Sequence, residues 1–451
     1  RSFQPKRLVT VGQDEGLGAQ RPSPFFYAEA VDYTTVHTWW KMDDLVWDGV
    51  FGKDPGKPTL VQETGIMYVE APDGRAKRSE LELRNILERK YAYSFATGGA
   101  GAVQWIWNIN FYMHNVNESH IGALRADGTE KPEAAVSYDF GAFIGGIRDL
   151  FRGRKLEETA IVYPYSNDFS HRPLAWDATT RSVRTLSYLM NVPARGVGEY
   201  HLDALADAPP KLIVVPSPHN FSGEALERLL SHVESVGGVL LLTGPVGLDA
   251  YWRPAERLKE LLGAGEVVNL LREERVSIGV TVWPASFGGA RIADSFKQLA
   301  EGASGSGPSA VVEAAHGKGT LLWCPLPLEL NEDKASLAAL YRFALARAGV
   351  APELEWLSGG DLRGVYGRKL EMSEGSLFVF VSEFGEDADI SVKDPVTGTV
   401  YSFTLECERS VLFAADREGR LLSAYRPGET AVAAKGTAAR GGETVRDSAG
   451  G

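Results

Sequence analysis

The sequence has little cysteine, no excess of basic residues and no long hydrophobic run. Cys324 and Cys407 are the only cysteines among 451 residues, which excludes a disulfide framework and a thiolate-rich metal site and leaves at most one bridge. The formal net charge is −12 and no stretch is rich in lysine and arginine, so we expect neither nucleic acid nor an anionic membrane surface as a partner. The longest apolar runs, such as residues 239–242, are far short of the roughly 20 residues that span a bilayer.

Aromatic residues, in contrast, are abundant. The chain has 10 Trp, 16 Tyr and 19 Phe, and 44% of its residues are hydrophobic, which predicts a folded globular protein rather than a disordered acidic one. At roughly 100–200 residues per domain, this length predicts two to four domains. The chain opens at Arg1 with neither an initiator Met nor a basic and apolar leader, so we expect its natural beginning to lie upstream or to have been removed.

Residues 1–154 alternate short β-rich runs with helical ones. Leucine and isoleucine keep helical spacing in residues 78–89, and alternation of strand and helix predicts parallel pairing of the strands. The four strand-like runs lie at residues 8–11, 33–37, 59–63 and 102–107. Because a whole (β/α)8 barrel has eight strands and takes roughly 250 residues, we predict an α/β region that forms the C-terminal half of a TIM barrel.

Residues 155–350 again alternate strand-like and helical runs. A helix is predicted at residues 222–233, where Ser222 is a good N-cap and Gly237 ends the helix. The strands and helices together predict a separate doubly wound α/β domain, with a flexible loop at residues 302–309. The strand-like runs lie at residues 160–163, 211–216, 239–243 and 320–323.

Residues 351–427 lose the helical signals. Alternation with a period of two predicts a small antiparallel β-sandwich, with turns at residues 394–399. Its strand-like runs lie at residues 376–381, 389–392 and 410–413. Residues 428–451 have no apolar periodicity, and we predict that they form an irregular tail.

The candidate site residues are those at the C-terminal ends of the predicted barrel strands, where a parallel barrel carries its functional side chains. Glu63 ends one strand, His37 ends another and is followed by Trp39, and Trp105 and Trp107 share one side of the last strand. Each residue by itself has an ordinary structural interpretation. Together, a carboxylate, an imidazole and several indoles are typical of a site that binds sugar rings.

The same segments resemble those of family 5 glycoside hydrolases. The resemblance covers about residues 6–150 and makes residues 8–12 the fifth barrel strand. Residues 31–40 resemble the sixth-strand motif, residues 57–65 the seventh-strand nucleophile segment, residues 98–107 the eighth strand with its ring-stacking Trp, and residues 122–132 the segment that follows it.

The middle region is similar to the trimerisation domain of family 42 β-galactosidases, which is shaped like flavodoxin and like a class I glutamine amidotransferase. Residues 212–217 and 233–244 carry this resemblance. An amidase would need a nucleophilic cysteine at a strand-to-helix turn, but Cys324 precedes Pro325 and Cys407 lies in the predicted sandwich. We therefore interpret the domain as an inactive assembly module, which implies a homo-oligomer with a trimer as one option.

The resemblance implies a retaining mechanism with Glu63 as the nucleophile. A second carboxyl about 5–5.5 Å away would act as acid and then base, and in these families it lies at the end of strand four, before the start of this chain. We therefore expect an N-terminal half-barrel from a missing segment or a separate chain. A half-barrel alone would expose sheet edges and bury too little apolar surface to be stable.

The resemblance also implies a set of sugar-binding side chains. His37 would bind near the reacting sugar, and Trp107, or Trp105 if the strand alignment is shifted by two, would form the stacking floor. Trp39 stands where the family has a Tyr, whose hydroxyl role Tyr27 or Tyr112 would then take. Two further sugar-binding candidates in the segment after the eighth strand are Glu118 and His120.

The first interpretation of the sequence is therefore a retaining glycoside hydrolase that acts on β-linked sugars and is β-galactosidase- or β-mannosidase-like. We expect a carbohydrate substrate and no metal or cofactor. The alternatives are a non-catalytic carbohydrate-binding or scaffold protein with a degenerate barrel, and a transglycosidase that uses the same residues. The sugar, the linkage and the cellular compartment stay open.

Overall fold

The computed structural model of the protein describes residues 7–12, 24–38, 42–110, 112–169, 174–255, 262, 271–287, 310–436 and 443–444. Both strands and helices occur up to Ala348, and the elements described after it are β-strands. Within these residues, no helix combines the length and the apolar character needed to cross a bilayer.

The helices are α1 (Met42–Phe51), α2 (Glu80–Ala96), α3 (Val116–Ser119), α4 (Pro132–Gly146), α5 (Leu174–Arg184), α6 (Ala204–Asp207), α7 (Gly223–Val236) and α8 (Lys334–Ala348). Short 3-10 helices lie at Pro24–Phe26, Ala28–Ala30, Arg148–Leu150, Tyr165–Phe169 and Leu328–Leu330, and a π-helical turn, Thr185–Leu189, continues α5.

The strands are β1 (Thr34–His37), β2 (Thr59–Thr64), β3 (Gly101–Gln104), β4 (Thr159–Tyr163), β5 (Arg195–Gly198), β6 (Leu212–Val215), β7 (Val239–Thr243), β8 (Glu273–Ile278), β9 (Thr281–Ser286), β10 (Val312–His316), β11 (Gly319–Cys324), β12 (Glu355–Ser358), β13 (Val365–Met372), β14 (Gly375–Ser382), β15 (Ala388–Lys393), β16 (Val400–Leu405), β17 (Ser410–Asp416), β18 (Leu421–Ala424), β19 (Ala433–Lys435) and β20 (Glu443–Thr444).

The first sheet consists of β1, β2 and β3 in that order, and its neighbouring strands are parallel. Helix α1 follows β1 and helix α2 follows β2, which is the repeating unit of a (β/α)8 barrel. The strands predicted at residues 33–37 and 59–63 are confirmed, whereas the one predicted at residues 102–107 ends at Gln104. This sheet is therefore a partial barrel.

The segment at residues 8–11 corrects one prediction, because it is not a strand. It runs beside β1, but side-chain hydroxyls make several of its contacts. Thr35 Oγ1 donates to the Val11 carbonyl at 2.8 Å, and Thr10 Oγ1 donates to the Tyr33 carbonyl at 2.7 Å. Leu8 is 78% exposed, so the apolar residues that suggested a strand are not held in a core.

Helix α2 is the element around which the other parts of the chain pack. It begins with a capping box, in which Ser79 accepts from the Glu82 N–H and the Glu82 carboxylate accepts from the Ser79 N–H. It contacts β3, α4 and the strands β13 and β14. Every residue from Leu87 to Ala96 is buried, because neighbours surround this half of the helix on all sides.

The second sheet has six strands in the order β10-β11-β7-β6-β4-β5, all parallel except for the β10–β11 pair. The five parallel strands follow the flavodoxin-like order 2-1-3-4-5. Helix α7 begins after the N-cap Ser222, as predicted, and buries Leu226, Leu229 and Val233 against this sheet. The predicted loop at residues 302–309 lies outside the described residues.

The last part of the chain consists of two antiparallel sheets, β12-β15-β16-β19-β20 and β13-β14-β17-β18. Phe378, Tyr401 and Phe413 lie in the core that they share. The irregular tail predicted from residue 428 is wrong for Ala433–Lys435, because this segment pairs with β16 as a strand. Backbone pairing, which apolar periodicity does not report, accounts for the difference.

Candidate active site

Two of the predicted residues meet at the carboxyl ends of β1 and β2. His37 is the partner of Glu63 across the parallel pair, after a register shift between Val36 and His37. His37 Nδ1 lies 3.7 Å from Glu63 Oε2, and the two side chains are 16% and 27% exposed. The structure thus brings together a carboxylate and an imidazole that both remain accessible.

A lysine of helix α2 contacts the ends of both strands. Lys90 Nζ donates to the Thr38 carbonyl at 3.0 Å and lies 3.4 Å from Thr64 Oγ1. Thr64 Oγ1 in turn donates to the Thr38 carbonyl at 2.9 Å. Lys90 is 2% exposed, so a buried ammonium group fixes the backbone directly after both His37 and Glu63.

The sequence analysis did not identify Lys90. A signal was present, since Lys90 follows Leu83 and Leu87 at helical spacing, which places a lysine on the buried face of the helix. A cation at such a position needs several polar partners, and the carbonyl groups at the strand ends supply them.

The two tryptophans after β3 have different surroundings. The backbone N–H of Trp105 donates to the Thr64 carbonyl at 2.7 Å, which holds this residue beside the end of β2. Trp105 is 38% exposed. The Trp107 ring is directed towards helix α4 and lies 6.5 Å from the ring of Tyr138. Because β3 ends at Gln104, the argument that both indoles share one side of a strand does not extend to them.

The other two predicted residues lie in and after α3, in the connection between β3 and α4. The Glu118 carboxylate accepts from Asn115 Nδ2 at 2.7 Å. His120 Nδ1 is 2.8 Å from Ser119 Oγ, and its ring packs edge-on against Tyr68, 4.9 Å away. Tyr68 follows β2, so this contact joins the loops that follow two neighbouring strands. The sequence analysis did not single out Tyr68.

Three further residues were candidates for the sugar-binding site. Trp39 lies outside the described residues. Tyr112 is 95% exposed, so its ring is not packed against Glu63 in this structure. Tyr27 is half-buried, and burial raises its pKa to about 12, which keeps its hydroxyl protonated.

The possible metal ligands and the two cysteines were also located in the described part of the chain. There, no group of three or more His, Cys, Asp and Glu side chains is arranged to hold a metal ion. Both cysteines are free. Cys324 is completely buried, and burial raises its pKa far above the ordinary value, so it does not form the thiolate that an amidase nucleophile requires.

No family model and no curated protein sequence matches the chain, but solved structures do. Gan42B, a GH42 β-galactosidase from G. stearothermophilus, superposes with a TM-score of 0.67 at 14% identity and covers 92% of this chain. A β-galactosidase from Bacillus circulans sp. alkalophilus gives 0.66 at 14% identity over 91% of this chain. The polyextremophilic β-galactosidase of the haloarchaeon Halorubrum lacusprofundi gives 0.59 at 16% identity over 90%.

The chain has the fold of these β-galactosidases. It spans 65% of the length of Gan42B and 64% of each of the other two structures. The resemblance to family 42 is therefore confirmed as a likeness of fold over about nine-tenths of the chain. At these identities the superposition shows the fold, and the chemistry has to be argued from the residues.

Proposed function

We propose that the protein is a retaining β-glycosidase, β-galactosidase- or β-mannosidase-like, in which Glu63 is the nucleophile. The observation that carries the proposal is the position of Glu63 at the carboxyl end of a parallel barrel strand, 3.7 Å from His37, in a chain with the fold of β-galactosidases. Active sites of (β/α)8 enzymes lie at this end of the strands.

The surroundings of Glu63 suit a nucleophile. Among the described residues, His37 is its one polar side-chain partner, at a distance longer than a normal hydrogen bond. The carboxylate oxygens therefore keep lone pairs available for the anomeric carbon. In a retaining mechanism the carboxylate displaces the leaving group, and water then releases the sugar from the resulting ester.

The residues near Glu63 would bind the sugar substrate. His37 can hydrogen-bond to a hydroxyl group or orient Glu63 through Nδ1. Trp105, held beside the end of β2 and partly exposed, presents an indole on which the C–H face of a sugar ring can stack. Glu118 and His120 would bind hydroxyl groups farther from the reacting carbon.

The second carboxylate would come from barrel strands that this sequence does not contain. The described barrel sheet has three strands, and the chain spans 65% of the length of Gan42B. We infer that an N-terminal half-barrel, on the same or another polypeptide, supplies the acid/base and completes the cleft. We propose residues 155–350 as an assembly module, since neither cysteine suits amidase chemistry, and a homo-oligomer as the assembled form.

The test is covalent labelling of the complete protein, including its N-terminal half-barrel. It is incubated with dinitrophenyl 2-deoxy-2-fluoro glycosides of galactose, mannose and glucose, and intact mass and peptide mapping follow. Dinitrophenolate leaves without protonation, so labelling reports on the nucleophile alone. We expect a single adduct on Glu63 from one sugar.

Two variants accompany the labelling. Glu63→Gln should abolish the adduct, whereas Glu158→Gln, which changes a partly exposed carboxylate paired with Lys211, should leave it unchanged. No adduct from any of the three sugars, on folded protein that still binds sugar, would overturn the proposal in favour of a non-catalytic carbohydrate-binding protein.

A further inference from the structure

A cleft of about 960 Å³ lies where the partial barrel, the six-stranded sheet region and the sandwich meet. Its walls come from the β2–α2 loop and α2, from α5 and the start of α8, and from loops of the sandwich. Seven lysine and arginine side chains line it against four carboxylates, in a chain whose net charge is −12. This cleft, called the arginine cleft below, therefore has the opposite charge balance to the protein as a whole.

The cations of the arginine cleft differ from most others in the protein because five of them lack ionic partners. Within the described part of the chain, no carboxylate lies within ion-pair distance of these side chains, which are Arg78, Arg89, Arg181, Lys334 and Arg363. The contacts that position them are with neutral groups. Arg78 Nη1 donates to the Met67 carbonyl at 2.8 Å, and Arg181 donates to the Asn331 carbonyl. Neutral acceptors thus position Arg78 and Arg181, and no ion pair with either is found among the described residues.

Arg89 is the clearest case. The residue is 7% exposed. Within the described residues, its side chain makes one hydrogen bond, from Nη1 to the Ser382 carbonyl at 3.3 Å. Its Nε–H is buried and has no acceptor among the described residues. A guanidinium has five N–H donors, and a buried charge without a counter-charge is strongly unfavourable. Among the described residues, Arg89 therefore keeps unused N–H donors and has no ion-pair partner.

None of the four carboxylates of the cleft forms an ion pair with Arg89 in the described part of the chain, and two of them accept hydrogen bonds from other groups. Asp333 Oδ1 accepts from the Ala335 N–H at 2.8 Å as the N-cap of α8, and Glu383 Oε1 accepts from the Tyr93 hydroxyl at 3.2 Å. Helix α8 has 15 residues, and the residues at its start line the cleft. The positive end of its dipole therefore adds to the field of the arginines.

We propose that the arginine cleft binds a small polyanion, a molecule with two or more phosphate or carboxylate groups. The volume is within the range of small-molecule sites, about 300–1,000 Å³, and arginine forks match the geometry of both oxyanions. The site is separate from the proposed nucleophile, although Ile66 and Met67, which follow Glu63 in the chain, form part of its wall. The proposal does not depend on the protein being a glycosidase.

The test measures binding by calorimetry and the rise in Tm with inorganic pyrophosphate and with citrate, on the complete protein at low ionic strength. Neutral galactose serves as the uncharged probe. We expect pyrophosphate, citrate or both to bind and to raise Tm, and we expect any effect of galactose on Tm to be the same in the wild type and in Arg89→Gln, since a neutral sugar would not use the cleft. A response to pyrophosphate alone assigns phosphate groups to the ligand, and a response to citrate alone assigns carboxylates.

Variants locate the site. Arg89→Gln should weaken binding at least tenfold and should raise the Tm of the anion-free protein or leave it unchanged, because it removes an unpaired buried charge. Arg363→Gln tests the same cleft from the sandwich side, where no helix is disturbed. Arg75→Gln is the matched control, since Arg75 is exposed and paired with Asp73 outside the cleft, and it should bind like the wild type.

Two results would overturn the proposal. One is that neither anion binds the complete protein, as would happen if a carboxylate from another part of the protein occupied the cleft. The other is that both Arg89→Gln and Arg363→Gln bind with wild-type affinity, which would place the anion elsewhere on the surface.

Discussion

Glu63 on β2 and Glu88 on α2 are two glutamates on consecutive elements with opposite surroundings. The Glu88 side chain is 1% exposed and pairs with Arg409 Nη2 at 2.8 Å, and it also accepts from the Ser410 N–H at 2.8 Å. The Glu63 side chain is 27% exposed, and its one polar side-chain partner in the described part of the chain is His37, at 3.7 Å. A carboxylate with every lone pair occupied joins two parts of a structure, whereas one with free lone pairs can react.

The largest expected effect tests the reactive side of this comparison. In the complete protein, Glu63→Gln should lower kcat with an activated aryl β-glycoside by about 10⁴-fold or more, because it removes a nucleophile. Stability should change by less than about 0.5 kcal/mol, since the side chain makes a single long polar contact. Steady-state kinetics and urea unfolding measure the two effects.

The contrary outcome for Glu63 is equally clear. If Glu63→Gln retained wild-type turnover but unfolded at a markedly lower urea concentration, Glu63 would be a structural carboxylate and the comparison with Glu88 would fail.

The next effect concerns Glu88. Glu88 pairs with Arg409 and with Arg426, at 3.5 Å. Glu88→Gln removes this buried carboxylate and leaves the two arginines with only the more exposed Glu406 and Glu429, which should lower the free energy of unfolding by about 3 kcal/mol. Chemical denaturation measures this. The matched control is Glu374→Gln, which breaks an exposed ion pair with Arg417 at 2.9 Å and should cost at most about 1 kcal/mol. Equal losses from the two variants would contradict the structural role given to Glu88.

Glu329 sharpens the comparison because it is a buried carboxyl with hydroxyl partners. Thr243 Oγ1 donates to Glu329 Oε2 at 2.6 Å, and the Tyr341 hydroxyl donates to Oε1 at 2.9 Å. Burial raises the pKa of Glu329 from 4.5 to about 7, and no lysine or arginine of the described residues forms an ion pair with it. The folded state therefore binds this proton more tightly than the unfolded chain does.

The sign of the pH dependence follows. The stabilisation from protonated Glu329 is fully present below pH 4.5 and is lost as the pH rises through about 7. Glu329→Gln, which resembles the protonated form, should gain about 3 kcal/mol relative to the wild type between pH 4.5 and 8. Urea unfolding of both proteins across this range measures the difference, and a constant difference would show that Glu329 does not titrate there.

The smallest effect concerns His37. His37→Ala should lower kcat/KM by about 10–100-fold, the loss expected for one hydrogen bond to a charged group, about 1.5–3 kcal/mol. His316→Ala, on β10 and far along the chain from the site, should leave kcat/KM unchanged. A wild-type kcat/KM for His37→Ala would show that the imidazole has no part in catalysis.

Much of the architecture could be predicted from local patterns. The spacing of apolar residues located β1, β2, α7 and the strands of the sandwich, because such patterns depend on which face of an element is buried. It failed at residues 8–11, where the apolar side chains are exposed, and at Ala433–Lys435, where pairing with β16 forms a strand without an apolar pattern.

The candidate site was predicted only in part. Strand-end positions pointed to Glu63 and His37, and the parallel register places them side by side. Lys90 and Tyr68 come from other elements, a helix and a loop, and their contacts with the strand ends and with His120 depend on how these elements pack. Trp107 was predicted with Trp105, but the end of β3 at Gln104 separates their surroundings.

The sequence by itself predicted a helix at residues 78–89, which lies largely within α2, and placed Glu63 and His37 at strand ends. Only the tertiary structure decided the roles of Glu88, Arg89 and Lys90, a run of charge that would ordinarily indicate a solvated face. Successive helical residues are about 100° apart, so these three buried side chains reach different partners, which are Arg409, the Ser382 carbonyl and the Thr38 carbonyl. What each charge does depends on which neighbour covers that side of the helix.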